Sequence, residues 1–451
     1  MGAKSVKAAL HGARVSTATV LRRQLNLLDA VSIGLGAIIG AGIFVLVGIA
    51  AGLAGPAVLL AVVLSGVSAT FTALSFAELG SALPKAGGIY EYGHTLIHPL
   101  VGFLMGWMWV SGNIVLGATA SQGFGYYLTA LAPQVDFRAA AAALVVAVTA
   151  VNILGAKLSA RVNNVLVAVK VAALLFLVAV GVGRIDLSNF HPFAPKGFAP
   201  ILEATALFYF AYIGFPRIAM IAEEVVEPER NIPRAILTAL WTSATLYLLV
   251  TATAVGVAGW QRLSESNAPL EDVARMLGFS WIVGVGGLFA TLSVVLTSVM
   301  GQSRVFFAMA RNGEIPKTLS KVHPRLGTPV YTILLSGAIM LILVLSVDIK
   351  GLAMVTSFLV LLTHVLTNVA DVVLWRRGRT PPFAAPLRPL HAILGAALSL
   401  VLAFSVESRA LVWGFVIIAA GAAWYYAWLG LSREKEGVKF TMSSPTLLNL
   451  R

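Results

Sequence analysis

The sequence predicts an all-α integral membrane protein with twelve transmembrane helices, built as a 5+5 inverted repeat with discontinuous helices 1 and 6. Three observations carry this. Of 451 residues, 58% are hydrophobic and 11% charged, with a mean hydropathy of +0.88. A soluble domain carries about a quarter charged residues, so this much apolar surface needs the bilayer as its solvent. Apolar segments of about the 20 residues that cross a bilayer recur along the chain. Two of them, five spans apart, are interrupted at their centres by glycine and proline.

The spans read as 27–54, 57–82, 99–130, 138–157, 162–183, 199–222, 232–259, 279–310, 329–347, 350–375, 389–406 and 410–431. Residues 1–24 form a cytoplasmic N-terminal segment, 25–183 the first repeat and 199–376 the second. Helices 11 and 12 fill 389–431, and 432–451 is a disordered cytoplasmic tail. Residues 87–99 and 261–278 are expected to be interfacial helices on the inner and outer faces. The first 24 residues are polar and basic and run into a full span, so no cleavable signal peptide is expected.

An even number of spans puts both termini on one side. Of 32 Lys and Arg residues, 23 fall on that side, seven on the other, and two, Lys170 and Arg217, lie within spans. Cytoplasmic loops carry the excess of basic residues, so the termini are cytoplasmic. The same bias accounts for the net charge of +13 without nucleic acid, because no basic tract is interleaved with aromatics. With no cysteine, disulfides, thiolate nucleophiles and cysteine metal sites are excluded. The histidines show no metal-binding spacing, so no metal or cofactor is expected.

The first span reads "SIGLGAIIGAGIFV" (32–45), with Gly34, Gly36, Gly40 and Gly42 inside lipid-grade sequence. The sixth reads "FYFAYIGFPRIAM" (208–220), with Gly214 and Pro216 two residues apart. Proline removes a backbone donor and clashes with the preceding turn. Taken singly, the glycines are a helix-packing motif and Pro216 a kink. As a pair in corresponding places they mean more. Irregular backbone at membrane depth persists only where it lines a cavity or is buried in protein. A half-helix starting there offers N–H groups to a carboxylate, and one ending there offers carbonyls to an ammonium. One such site matches both ends of an α-amino acid.

"GAIIGAGIF" (36–44), "FAYIGF" (210–215) and "EEVVEPERNIPRAI" (223–236) resemble the amino acid–polyamine–organocation superfamily, above all prokaryotic members of its cationic amino acid transporter branch. "SFAELGSALPKAGGIYEY" (75–92) and "MARNGEIPKTLSKVHPRLGTPV" (309–330) extend the resemblance over about residues 20 to 380. It implies a secondary active transporter importing amino acids by alternating access at the plasma membrane, and no enzyme. By matching positions, the N–H groups of Ala41 and Gly42 take the substrate carboxylate. The carbonyls of Ile38, Phe210 and Ile213 take its amino group, Phe210 also acts as a lid, and Ala211 belongs to the same site. Ala41 stands where some relatives carry a hydroxyl. Pro216 and Arg217 depart from the acidic or small residues expected there.

Lys170 lies deep in span 5, and a central lysine costs about 2.5–3.5 kcal/mol even on a lenient insertion scale. Desolvation disfavours an ammonium and water restores it, so alternate exposure of Lys170 would load and release a proton. The resemblance puts this lysine where sodium-coupled relatives hold Na⁺, with the Gly36 carbonyl and Ser293 as partners and Thr297 and Asn163 nearby. Two readings stay open: proton-coupled symport, or an amino acid or polyamine exchanger in which Lys170 is a static cation. No cavity carboxylate suits a cationic side chain, which favours small or apolar neutral amino acids. A membrane enzyme would need a constellation of histidines and carboxylates that the sequence does not assemble. Glu78 is read as a gate or loop ion-pair residue, and Glu223 and Glu224 as partners of Arg217 or of loop arginines. His364 is read as an interior histidine, and Asn113, Gln122, Thr356 and Ser357 as cavity-lining. The expected partners are the substrate, a proton and the lipid bilayer. Nothing in the sequence fixes the oligomeric state.

Overall fold

The computed structural model describes residues 21–40, 42–266, 268–346 and 352–435. The first helix, α1 (Leu27–Ile38), starts at a capping box. Asn26 accepts from the Asp29 N–H at 2.9 Å, and Asp29 accepts from the Asn26 N–H at 3.0 Å. It ends at Ile39, where the backbone turns extended. The chain re-forms as a π-helical stretch, Gly42–Leu46, that runs into α2 (Val47–Ala54).

Next come α3 (Val58–Ala82), the short α4 (Ile89–Leu96), α5 (Pro99–Leu131), α6 (Phe137–Leu154) and α7 (Ala156–Gly181). Then α8 (Ala199–Tyr209) gives way to a 3₁₀ turn, Phe210–Tyr212, before the five-residue α9 (Pro216–Met220). Beyond it lie α10 (Pro228–Ala258), α11 (Trp260–Glu265), α12 (Pro269–Met276), α13 (Ser280–Arg311), α14 (Val330–Ser346), α15 (Leu352–Arg376), α16 (Leu390–Phe404) and α17 (Ser408–Lys435).

Among the described residues, ten apolar helical segments are long enough to cross a membrane, and α14 and α16 are shorter apolar helices. Burial ranks them from centre to edge. The interrupted segment Ala199–Met220 is 78% buried, against 22% for Ser408–Gly430. Accordingly Trp413 and Phe415 on α17 stand 62% and 51% exposed. Apolar surface of that kind is stable when lipid, not water, covers it.

Several boundaries depart from the sequence expectation. Helix α7 begins six residues before 162, because its polar first turns face protein. Asn163 donates to the Ser32 carbonyl at 2.6 Å, Lys157 is ion-paired with Asp29, and Asn164 donates to Asp29 at 3.1 Å. The stretch 261–278 forms two short helices, α11 and α12, and not one. The last helix continues to Lys435, inside the expected tail; residues 436–451 lie outside the described residues.

Candidate functional site

The two interruptions meet. At Gly214 an added Cβ would sit 2.3 Å from the Ala37 carbonyl carbon and 2.3 Å from the Ile38 nitrogen. Only glycine allows backbone to lie against backbone that closely. On the other side, a Cβ on Gly42 would fall 2.6 Å from the Ala211 Cα. Between them lies a small chamber lined by Ala37, Ile38, Gly40, Gly42, Phe210, Ala211, Ile213 and Gly214, closed by Leu116 and Val294. It gives a water's centre about 10 Å³, room for about one water molecule. An amino acid therefore fits only if the two breaks separate. Of the residues expected to hold substrate, Ile38, Gly42, Phe210, Ala211 and Ile213 all line this chamber. Ala41 lies outside the described residues.

The chamber floor is the C-terminal end of α1, where a helix leaves carbonyls without intrahelical partners. Here side chains from other helices take them. Lys170 on α7 donates to the Gly36 carbonyl at 3.0 Å and to the Ile39 carbonyl, and also to the Ser293 hydroxyl of α13 at 2.6 Å. Arg217 on α9 donates to the Ala37 carbonyl at 3.3 Å. Tyr247 on α10 donates to the Ile38 carbonyl at 2.6 Å, and its hydroxyl also lies 3.1 Å from the Ala211 carbonyl. Cations and hydroxyls suit the negative end of a helix dipole. Gly36 and Ser293 are thus the lysine's neighbours, joined by Ile39. Thr297 instead donates to the Ser293 carbonyl at 2.9 Å.

Lys170 and Arg217 are both fully buried, and among the described residues neither forms a salt bridge. Arg217 is held by neutral groups one turn below the chamber: Asn113 at 2.8 Å and Ser298 at 2.8 Å. Of the two partners expected for Glu223 and Glu224, Arg217 is not taken and other arginines are. Glu224 takes buried Arg304 at 2.8 Å, and Glu223 takes Arg311 at 3.1 Å. Glu223 also accepts from the Leu21 and Ala86 N–H groups, at 3.4 and 3.0 Å. The Glu224 carbonyl accepts from the Gln24 and Leu25 N–H groups, so the segment before α1 is tied to the one after α9. These contacts draw both carboxylates away from Arg217.

The other polar residues serve the scaffold. Gln122 donates to the Val344 carbonyl at 3.1 Å and Thr356 to the Gly112 carbonyl at 3.3 Å, so neither lines the chamber. His364 meets the Tyr209 hydroxyl at 2.9 Å within a box of Phe76, Tyr209 and Phe215. Glu78 is ion-paired with Arg388 and accepts from the Ala385 N–H at 2.9 Å. Beside it His391 bonds Asp371 at 2.9 Å, so Glu78, Asp371 and His391 offer ligand atoms within 4.8 Å of one another. No sequence spacing announces this cluster. Arg388 already supplies the positive charge that a metal ion would bring. Tyr247 and the Arg217 contacts are the parts of the site that sequence reasoning missed. A phenol buried in mid-membrane needs a partner for its O–H, but the sequence does not say which carbonyl it reaches.

The sequence model of the amino acid permease family matches residues 29–423, nearly the whole helical region. The chain is 36% identical over 410 residues to an uncharacterized transporter of Mycobacterium tuberculosis, covering 90% of this chain and 91% of that one. It is 33% identical over 401 residues to the branched-chain amino acid permease BcaP of Bacillus subtilis, covering 84% and 86%. It is 32% identical over 396 residues to cationic amino acid transporter 4 of Mus musculus, covering 81% and 62%. Interrupted helices around a closed chamber and a match along almost the full chain lead to one conclusion: the protein belongs to the amino acid permease family of the amino acid–polyamine–organocation superfamily and is a multi-pass membrane transporter of amino acids.

Proposed function

We propose that the protein imports small or apolar neutral amino acids by proton-coupled symport, through alternating access at the plasma membrane. The observation that carries this is Lys170, an ammonium without a carboxylate, on the carbonyls of the broken first helix. Its three N–H groups match three acceptors: the Gly36 and Ile39 carbonyls and the Ser293 hydroxyl. The Ser293 hydroxyl also lies 2.8 Å from the Ala290 carbonyl and 3.0 Å from that of Gly36. It can donate there while accepting from the ammonium, or turn its proton to a neutral amine. The site thus tolerates both states of Lys170. Loss of the proton loosens the end of α1 that forms the chamber floor, which links proton release to opening.

Substrate class follows from charge. Two buried cations, Lys170 and Arg217, flank a chamber whose described lining holds no carboxylate. A second positive charge on the substrate would be repelled, whereas a zwitterion with an apolar side chain meets apolar walls. The similar Bacillus subtilis protein is a branched-chain amino acid permease, which supports a branched-chain substrate. The substrate's carboxylate is held by the Ala41 and Gly42 N–H groups and its ammonium by the Ile38, Phe210 and Ile213 carbonyls.

This reading includes twelve crossings, with α14 and α16 spanning as well, both termini cytoplasmic, repeats over 25–183 and 199–376, and two further helices over 389–431. An interrupted helix at the head of each set of five supports the repeat, and the Lys and Arg bias supports the orientation. Empty proteoliposomes given an inward proton gradient test it. Accumulation of a neutral amino acid is expected; uptake that needs internal amino acid would favour the exchanger with a static Lys170.

A further inference from the structure

We propose that Tyr247 is a positioning residue whose hydroxyl occupies, in the empty protein, the carbonyl that the substrate's ammonium takes. This rests on the amino-acid chamber proposed above. Tyr247 is fully buried on α10, and its ring packs edge-on against Phe208 and tilted against Tyr212. That packing aims the hydroxyl at two carbonyls from different interrupted helices: Ile38 at 2.6 Å and Ala211 at 3.1 Å. A phenol has one proton, so it satisfies one carbonyl fully and merely approaches the second. The bridge spans the chamber's two halves.

The chamber holds about one water, and the Ala211 backbone lies against Gly42. An amino acid can enter only if the Gly42 and Ile38 backbone and Ala211 move apart. As those backbones part, a single hydroxyl cannot stay within reach of both carbonyls. The other carbonyls at the end of α1 are taken by charged groups, Lys170 and Arg217. The neutral phenol on Ile38 is the weakest of the three occupants, because hydrogen bonds from charged donors are about twice as strong. It is therefore the one an incoming ammonium displaces. The hydroxyl keeps the empty chamber closed and its carbonyl satisfied, at the expense of affinity.

The consequence runs against the usual expectation for a site residue: removing the hydroxyl tightens binding. The purified full-length protein and Tyr247→Phe are titrated by calorimetry with each of the twenty amino acids. For each one that binds, 4-methylpentanoate or the corresponding des-amino acid is titrated as well. Every amino acid that binds wild type should bind Tyr247→Phe roughly 2- to 12-fold more tightly, the range of one net hydrogen bond. The des-amino acid, which brings no ammonium, should gain nothing. Equal or weaker amino-acid binding by the variant, or an equal gain for the des-amino acid, overturns the proposal. Which amino acids bind wild type tests the substrate class separately, since the ratio is read for whatever binds. If the variant does not purify, a structure of the wild type with a bound amino acid decides. The Tyr247 Oη should have left the Ile38 carbonyl, and persistence of the 2.6 Å contact beside a bound ammonium overturns the proposal.

Discussion

The two interruptions that meet at the chamber are held open in opposite ways. The break after α1 is satisfied from a distance: Lys170, Arg217 and Tyr247 reach its carbonyls from three other helices. The break after α8 is satisfied mainly by its own chain. The Ile213 N–H donates to Phe210 at 3.3 Å, the Arg217 N–H to Gly214 at 3.1 Å, and the Ile218 N–H to Phe215 at 3.1 Å. One break is therefore a property of tertiary structure, and the other of a local glycine–proline sequence. The first can respond to the protonation and movement of distant side chains. The second supplies a fixed surface for it to move against.

The largest effect should come from the rigid side of that contrast. Gly214→Ala drives a Cβ into the backbone of Ala37 and Ile38, which no rotamer change relieves. We expect a loss of about 4 kcal/mol or more, the scale of the most disruptive substitutions. Thermal denaturation of the purified protein reads it, and a near-native melting temperature would mean that the two breaks are not in contact.

Lys170→Ala attacks the responsive side. It leaves the Ile39 carbonyl bare, at about 1–3 kcal/mol, and the Gly36 carbonyl with the Ser293 hydroxyl alone. The variant should keep some counterflow exchange while losing accumulation driven by a pH gradient. Retained pH-driven accumulation would return Lys170 to a static role.

Arg217→Gln removes one of two cations beside the chamber and keeps a donor for Asn113 and Ser298. Wild-type uptake of a neutral amino acid should resist competition by lysine. In the variant, lysine should begin to compete. Relief of one like charge at about 8 Å and an effective dielectric of about 20 is worth roughly 2 kcal/mol. If lysine competes equally in both proteins, Arg217 does not set charge preference.

The smallest effect belongs far from either break. Arg409 is almost fully exposed and only 4.0 Å from Glu407. Arg409→Ala should change stability by less than about 0.5 kcal/mol and leave uptake unchanged. A marked loss would mean that this end of α17 contacts something beyond the chain itself.

The same contrast explains what could be read from the sequence. The second break is written in place, as Gly214 and Pro216 within an apolar run. The first is also visible, in the glycines from 34 to 42. Lys170 stands out because a cation in lipid-grade sequence demands an explanation, and Gly36 and Ser293 follow from the family resemblance. The long-range satisfaction of α1 was not legible. Tyr247 looks like any aromatic in a span, and only the fold brings it from α10 to Ile38. Arg217 is as conspicuous as Lys170, but of the two partners open to Glu223 and Glu224 in the sequence the fold selects other arginines, Arg304 and Arg311 on α13. The polar start of α7 was excluded from its span for a similar reason. Hydropathy counts Lys157 and Ser159 against burial and cannot see the Asp29 carboxylate and the Val151 and Gly155 carbonyls that receive them.

If proton movement is tied to the break that Lys170 holds, substrate entry carries protons with it, and substrate-evoked proton flux tests that most directly. Proteoliposomes carrying a pH-sensitive dye inside, with no imposed gradient, are given a neutral amino acid from outside. The lumen should acidify as the amino acid enters, and Lys170→Ala should abolish the acidification. Entry of the amino acid with no change in luminal pH would contradict the account.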